Sequence, residues 1–120
     1  MGILIVDDDY NIRDALTQIL EDEGYYVSSA TNGLDAITQL RNNSDLPCLI
    51  LLDLSMPIMN GWEFRDVQQQ DPALARIPVV VLSADRSAQH KAASIHANGY
   101  LQKPVDITIL IDTVEHYCTQ

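Results

Sequence analysis

The amino-acid sequence predicts an α/β domain built on a five-stranded parallel sheet. Three observations favour this fold class: five apolar runs with strand character recur at fairly regular intervals, segments with helical spacing separate them, and three of the runs are almost uniformly apolar. Each return between parallel strands needs a crossover of about a dozen residues, usually a helix. The alternation therefore predicts a sheet with helices packed on both faces.

Five runs have the composition of strands: GILIV (2–6), YYVSSA (25–30), CLILLD (48–53), PVVVLS (78–83) and GYLQK (99–103). The first, third and fourth are apolar, as expected of strands covered on both faces, whereas the second and fifth are mixed. We therefore expect the second and fifth strands at the edges. With right-handed crossovers, the doubly wound order 2-1-3-4-5 satisfies this pattern.

Five segments have helical character. Apolar residues follow i, i+3, i+4 spacing from Ile12 to Leu20 and again from Ile107 to Tyr117, which predicts the first and last helices. The segments 34–42 and 61–70 are shorter and less regular, and 87–97 is rich in alanine.

Three Asn-Gly pairs occur at residues 32–33, 60–61 and 98–99. Such pairs often form hairpin turns, but the runs that flank these pairs are not two short alternating strands. We therefore expect the pairs at helix boundaries, where glycine accepts a positive φ.

The length and composition favour one cytoplasmic domain over residues 1–120. A chain of 120 residues with 47% hydrophobic and 20% charged residues has room for one packed core. No apolar run approaches the about 20 residues of a membrane span, and the N-terminus lacks a secretion signal. The formal net charge of -10 opposes direct binding to nucleic acid, whose affinity comes largely from Lys and Arg.

The two cysteines, Cys48 and Cys118, show no metal-binding pattern. They lack CxxC spacing and matched histidines, and a zinc site would need about four ligands. We therefore expect both to be free thiols.

Four predicted strands end in polar or charged residues. These residues are Asp7, Asp8 and Asp9 after the first strand, Asp53 in the third, Ser83 in the fourth and Lys103, before Pro104, in the fifth. In an open parallel sheet, function collects beyond the carboxyl ends of the strands where the strand order reverses, here between the first and third strands. We therefore expect a functional site at this edge.

The acids at the ends of the first and third strands predict a magnesium site. Neighbouring strands lie about 4.8 Å apart, so these carboxylates must crowd, and like charges this close raise a pKa or recruit a cation. Mg²⁺ commonly takes one or two carboxylates, which Asp8 and Asp53 supply, and Asp7 could act through water. The alternative is that residues 7–9 only form an acidic turn that caps the next helix near Asn11.

A lysine and a hydroxyl complete the predicted site. The Lys103 ammonium suits a phosphate or carboxylate, and the following proline restricts Lys103 towards extended geometry and allows a cis bond. Ser83 could donate its hydroxyl to the same anion. An aspartate beside a metal and a lysine can attack phosphorus and form an aspartyl phosphate. Asp53 is therefore the candidate phosphoacceptor.

The motifs VDD (6–8), LLDLSMPIMNG (51–61), VLSA (81–84) and KP (103–104) together resemble the receiver domain of two-component response regulators. The likeness spans the whole chain, which is similar to the single-domain chemotaxis response regulators. It implies a flavodoxin-like (βα)5 fold and a signalling switch rather than a conventional enzyme. It also implies Mg²⁺-dependent phosphotransfer from a histidine kinase or histidine phosphotransfer protein to Asp53, followed by slow self-dephosphorylation.

The resemblance assigns roles around the metal and the phosphoryl group. By position, Asp8, Asp53 and the backbone carbonyl of Ser55 would bind Mg²⁺ directly, and Asp7 would act through water. Lys103 would pair with the phosphoryl group.

The resemblance also assigns a switch. Ser83 would be the switch hydroxyl, and Tyr100 would be the aromatic residue that turns inward as the hydroxyl moves. Ser55 and Asp85 match positions that tune dephosphorylation. A downstream protein partner or effector domain would read the face formed by the fourth helix, fifth strand and fifth helix.

Three positions depart from the family pattern. Ser83 stands where threonine is commoner, Asn60 replaces the usual aspartate, and Val105 follows the KP motif where phenylalanine is frequent. Because none of these changes removes a reactive group, we expect the phosphorylation chemistry to survive.

Three other interpretations share parts of this pattern. A flavodoxin-type electron carrier has the same fold, but the acids at 7–9 would repel its FMN phosphate. A phosphatase of the haloacid dehalogenase type also uses an aspartyl nucleophile, yet needs a second acid where Ser55 stands. A degenerate receiver would only bind partners, which the complete set of acids and lysine argues against.

Overall fold

Strands and helices alternate along residues 2–118, which are the residues that the computed structural model describes. The elements are β1 (Gly2–Val6), α1 (Tyr10–Asp22), β2 (Tyr26–Ala30), α2 (Gly33–Asn42), β3 (Leu49–Asp53), α3 (Gly61–Gln70), β4 (Val79–Ser83), α4 (Ala88–Ser94), β5 (Gly99–Gln102) and α5 (Ile107–Cys118). All pairs of neighbouring strands are parallel, in the order β2-β1-β3-β4-β5. The predicted fold class, strand order and edge strands are therefore confirmed.

The sheet buries one apolar cluster on each face, because successive side chains of a strand point to opposite sides. One cluster packs against α2, α3 and α4 and includes Leu4, Val6, Ile50, Leu52, Ile37 and Phe64. The other packs against α1 and α5 and includes Ile3, Ile5, Leu49, Leu51, Leu16 and Leu110. β3 lies in the middle of the sheet with every residue buried, so Asp53 ends the central strand.

Two Asn-Gly pairs begin helices, as predicted. The Asn32 side chain caps α2 by accepting the Asp35 N–H at 2.8 Å. Asn60 caps α3 through a capping box, in which its side chain accepts the Glu63 N–H while the Glu63 carboxylate accepts the Asn60 N–H.

The prediction for the third Asn-Gly pair is wrong. α4 already ends at Ser94, and Asn98 instead accepts the Val79 N–H at 2.9 Å just before β5 begins. We also expected the glycines of these pairs to adopt a positive φ, and this prediction is wrong. Among the described residues, the one glycine with a positive φ is Gly24, at 91°. A helix that starts at an Asn cap needs no left-handed residue there.

The prediction that the cysteines are free thiols is wrong, because Cys48 and Cys118 form a disulfide. Cys48 directly precedes β3 and Cys118 ends α5, with their Cα atoms 5.4 Å apart. In a parallel sheet a crossover helix runs antiparallel to the strands, so its last turn lies near the amino ends of the strands. Residues 70 apart in sequence therefore meet at the amino end of the sheet.

Within residues 2–118, no helix combines the length and the apolar character that crossing a membrane requires.

Candidate functional site

Three carboxylates meet at the carboxyl ends of β1 and β3. Val6 pairs with Leu52 in the sheet, so the residues that follow these two positions emerge side by side. Asp7, Asp8 and Asp53 can each offer one oxygen so that the three oxygens lie within 4.8 Å of one another. Asp7 and Asp53 are buried, whereas Asp8 is exposed. The structure thus brings the three predicted acids together.

Lys103 lies between the two buried acids. Its ammonium Nζ is 2.9 Å from Asp7 Oδ2 and 3.7 Å from Asp53 Oδ1. The backbone positions it, because the Lys103 N–H donates to the Ser83 carbonyl at 2.8 Å. The peptide bond between Lys103 and Pro104 is cis. In the free protein, Lys103 therefore pairs most closely with Asp7.

Asp53 is held in an environment that disfavours its charge. Burial, and after it the charge of Asp7, raise the pKa of the Asp53 carboxyl from 3.8 to about 6. Asp8 also raises this pKa, whereas the Lys103 ammonium and the Ser55 N–H lower it. One lysine thus offsets only part of the repulsion among the acids, and a bound cation would relieve the remainder.

The donor atoms of this cluster fit magnesium. All three side chains offer carboxylate oxygens, which are the ligands that hard divalent cations prefer. Asp8, Asp53 and Asp7 would hold the ion, which would supply positive charge next to Asp53.

Ser83 lies at the end of β4 and is buried. Its Oγ accepts the Asp85 N–H at 3.1 Å, so its own hydroxyl hydrogen is not committed by that bond. β4 pairs with β3 such that Asp53 is the partner of Leu82, which places Ser83 one residue further along on the neighbouring strand. The hydroxyl and the phosphoacceptor candidate thus end adjacent strands.

Asp85 is directed towards α4 by its hydrogen bonds. Its carboxylate accepts the Lys91 ammonium, the Ser87 N–H and the Ser87 hydroxyl, each at 2.8 Å. The bond from Lys91, followed by those from Ser87, holds the pKa of the Asp85 carboxyl well below its usual value. The Lys91 ammonium also lies 6.0 Å from the centre of the Trp62 ring. Asp85 is therefore an anchor for the start of α4.

Tyr100 and Ser55 are both accessible to solvent. Tyr100 lies on edge strand β5 with 42% of its surface exposed, so it stands outward in this structure. Ser55 is exposed, and its N–H donates to Asp53 Oδ1 at 3.4 Å.

The loop between β3 and α3 depends on a close approach that sequence reasoning missed. The Gly61 N–H donates to the Leu54 carbonyl at 3.0 Å, and a Cβ on Gly61 would lie 2.8 Å from the Asp53 carbonyl oxygen. The Asn60-Gly61 pair was the available signal in the sequence. It predicts a helix boundary, but it does not reveal that the backbone of Asp53 and Leu54 lies against the glycine.

Sequence reasoning also missed Arg13, which contacts the backbone of the acidic cluster. Its guanidinium Nη1 donates to the Asp7 carbonyl oxygen at 2.7 Å. The only signal in the sequence was a cation in the second turn of a helix that begins just after the acids, and this spacing does not reveal which acceptor the side chain reaches.

The family model for the response regulator receiver domain matches residues 3–115. The chain belongs to this family. This receiver domain is 31% identical over 115 residues to sporulation initiation phosphotransferase F of Bacillus subtilis, covering 96% of this chain and 91% of that protein. It is 33% identical over 119 residues to response regulator RR06 of Streptococcus pneumoniae, covering 96% of this chain but only 52% of that protein. The receiver thus spans about half the length of some of its relatives.

Among solved structures, the receiver is similar to the chemotaxis protein CheY4 of Vibrio cholerae. The two share 28% sequence identity with a TM-score of 0.86, and the match covers 97% of each chain. Receiver domains bind Mg²⁺ at an acidic pocket, and in this receiver Asp7, Asp8 and Asp53 form a pocket of that kind.

Proposed function

We propose that this receiver, over residues 1–120, is a phosphorylation-dependent switch whose phosphoacceptor is Asp53. The phosphoryl group would come from the phosphohistidine of a histidine kinase or histidine phosphotransfer protein, with Mg²⁺ at the acidic pocket. The observation that carries the proposal is the placement of Asp53. It is a buried acid beside two other acids, with the Lys103 ammonium 3.7 Å from its Oδ1.

The chemistry follows from the charges around Asp53. In the proposed step an ionised Asp53 oxygen attacks phosphorus, the phosphorus–nitrogen bond of the donor breaks, and the donor imidazole leaves with its electron pair and takes up a proton. Lys103 would turn from Asp7 towards the new phosphoryl oxygens, a short movement because its ammonium already lies between the two acids.

Ser83 and Tyr100 form the proposed switch. The Ser83 hydroxyl would donate to the phosphoryl group, since its hydrogen is free of the bond from the Asp85 N–H. Tyr100 stands outward without a phosphoryl group, so an inward turn of its ring would change the surface of α4, β5 and α5. We propose that a downstream protein partner or effector domain reads this surface.

Ser55 and Asp85 are the proposed rate modifiers. Ser55 is exposed next to Asp53 and would also offer its backbone carbonyl to Mg²⁺. The Asp85 carboxylate is occupied by Lys91 and Ser87, so its influence on water near the phosphoryl group would depend on release from these partners. Slow self-dephosphorylation would return the receiver to its starting state.

The test uses acetyl phosphate with Mg²⁺ and intact-mass analysis. We expect the wild-type chain to gain one phosphoryl group, Asp53→Ala to gain none, and Asp66→Ala, which removes an exposed acid on α3, to behave as the wild type. Equal labelling of the wild type and Asp53→Ala would exclude Asp53 as the acceptor. Omission of Mg²⁺ should abolish labelling of the wild type.

A further inference from the structure

The peptide that joins Asp7 to Asp8 is held from several sides. The Asp7 N–H donates to the Ala30 carbonyl at 3.1 Å, and the Asp7 carboxylate accepts the Lys103 ammonium at 2.9 Å. The Asp7 carbonyl oxygen accepts Arg13 Nη1 at 2.7 Å. That carbonyl belongs to the peptide plane from which Asp8 departs, so Arg13 fixes the orientation of this plane.

Asp8 depends on this plane for its own direction. Its side chain is exposed, and within residues 2–118 its carboxylate makes no hydrogen bond or ion pair with another protein group. Asp7, in contrast, is fully buried and is held by its carboxylate as well as by its backbone. Of the two acids, Asp8 is the one whose aim can change if the backbone between them turns.

The hydrogen bonds at the start of α1 hold the Arg13 backbone in place, so that its side chain can reach the Asp7 carbonyl. Asp9 caps the helix by accepting the Asn11 N–H at 2.9 Å, and the Arg13 N–H donates to the Asp9 carbonyl at 3.1 Å. The Arg13 guanidinium then turns back over the Tyr10 ring, 5.7 Å from its centre. An arginine suits this place because its planar fork can stack on the ring while it donates to the carbonyl.

We propose that Arg13 is a positioning residue for metal binding. By holding the Asp7 carbonyl, it keeps the Asp8 carboxylate aimed at the acidic pocket, so that its loss weakens Mg²⁺ binding. This inference rests on the proposed function, in which Mg²⁺ binds among Asp7, Asp8 and Asp53.

The direction in which Mg²⁺ affinity changes on loss of Arg13 distinguishes a positioning role from a purely electrostatic one. A cation near the pocket repels Mg²⁺, so removal of the Arg13 charge would by itself tighten metal binding. Loss of a group that orients a metal ligand typically weakens binding by about 10- to 100-fold. The two explanations therefore predict changes in opposite directions.

The experiment is an Mg²⁺ titration of the full chain, followed by calorimetry or by the fluorescence of its single tryptophan. We expect Arg13→Met to weaken Mg²⁺ binding about tenfold. Arg13→Lys should recover part of the loss, because an ammonium can still reach a carbonyl. Arg86→Met is the matched control, since it removes an exposed positive charge from the β4–α4 loop and should leave binding unchanged or slightly tighter.

A second measurement and a second variant guard against a general loss of structure. The rate of labelling by acetyl phosphate in Arg13→Met should return to the wild-type rate at saturating Mg²⁺, which a damaged fold would not allow. Tyr10→Leu leaves the arginine in place but removes the ring on which it lies, and should weaken Mg²⁺ binding by about two- to threefold.

Each outcome bears on a specific claim. Binding by Arg13→Met as tight as or tighter than in the wild type would overturn the role of Arg13 while leaving Asp53 as the acceptor. A labelling rate that stays low at saturating Mg²⁺ would overturn it as well. A wild-type chain that binds no Mg²⁺ would overturn both this inference and the metal site in the proposed function.

Discussion

At the carboxyl end of the sheet two buried acids, Asp7 and Asp53, share one lysine, whereas at the amino end a disulfide joins Cys48 to Cys118. In the first arrangement, burial and then the neighbouring charge of Asp7 raise the pKa of the Asp53 carboxyl to about 6. The second fixes the last turn of α5 to the start of β3. Both regions contact β3, yet one opposes folding of the free protein and the other supports it.

This difference shows where the receiver can tolerate an unfavourable arrangement of charges. A binding site needs groups that are not fully satisfied until the ligand arrives, and the rest of the fold must supply the stability that the site lacks. The two ends should therefore respond differently to substitution, to reduction and to pH.

Reduction of the disulfide should have the largest effect. Opening the Cys48–Cys118 bond should lower the free energy of unfolding by about 2–4 kcal/mol, because the unfolded chain gains the freedom that the cross-link removes. Urea unfolding with and without a thiol reductant measures this. A double variant with alanine at both positions is the control, since it should not respond to reductant. Mg²⁺ affinity that falls with reduction would show that the two ends are not independent.

Gly61→Ala should disturb the carboxyl end through the backbone. The new Cβ would lie 2.8 Å from both the Asp53 carbonyl oxygen and Leu54 Cα, so the loop after β3 must shift. We expect a loss of about 1–3 kcal/mol in the free energy of unfolding. Gly99→Ala is the control, because its Cβ would meet Val80 Cγ2 at an ordinary 3.8 Å. Similar losses in the two variants would contradict the close approach at Gly61.

Asp53→Asn should stabilise the protein in the absence of Mg²⁺. The pKa of Asp53 is raised from 3.8 to about 6 on folding, so the stability that this acid contributes is fully present below pH 3.8 and is lost as pH rises through 6. We expect the asparagine variant to be more stable by about 1–2 kcal/mol at pH 8, less than the full shift implies because solvent still reaches the site.

The pH dependence of this gain is the decisive measurement. The advantage of Asp53→Asn should shrink as pH falls from 6 towards 4, because the wild-type carboxyl is then protonated in the folded state. Asp66→Asn, on the exposed surface of α3, should show no such trend. An advantage that is equal at pH 4 and pH 8 would mean that the cost of ionising the buried Asp53 carboxyl is not its cause.

Arg41→Met should have the smallest effect. Arg41 Nε lies 3.4 Å from Asp71 Oδ2 at the amino end of the sheet, and 54% of the Arg41 side chain is exposed. Solvent screens such a pair, so we expect a change below about 0.5 kcal/mol in the free energy of unfolding. A larger loss would show that surface charges contribute to the stability of the amino end.

The sequence was sufficient to predict the sheet and the three acids, because both follow from local pattern. Apolar runs of five or six residues separated by helical segments define a parallel sheet, and the residues that follow its strands must meet at one edge. Asp53 could be singled out because it ends an apolar run and three other predicted strands also end in polar or charged residues at the same edge.

The remaining features depend on contacts between residues that the sequence does not place side by side. The Cys48–Cys118 pair required the direction of α5 relative to β3, and the Arg13 contact required the path of a long side chain back over Tyr10. The third Asn-Gly pair was misassigned because α4 ends earlier than predicted. The fourth helix was predicted over residues 87–97, whereas α4 spans Ala88–Ser94. Alanine-rich segments carry little information about where a helix ends.

β3 is bonded on both sides, to β1 and to β4, and is buried along its whole length. As the proposed acceptor, Asp53 would therefore have little freedom to move aside when a phosphoryl group is added. In the proposed switch, the groups that would move instead are the Lys103 ammonium, the Ser83 hydroxyl and the exposed ring of Tyr100. A phosphorylation signal would thus reach the surface through movement of these side chains, while the backbone of Asp53 stays in place.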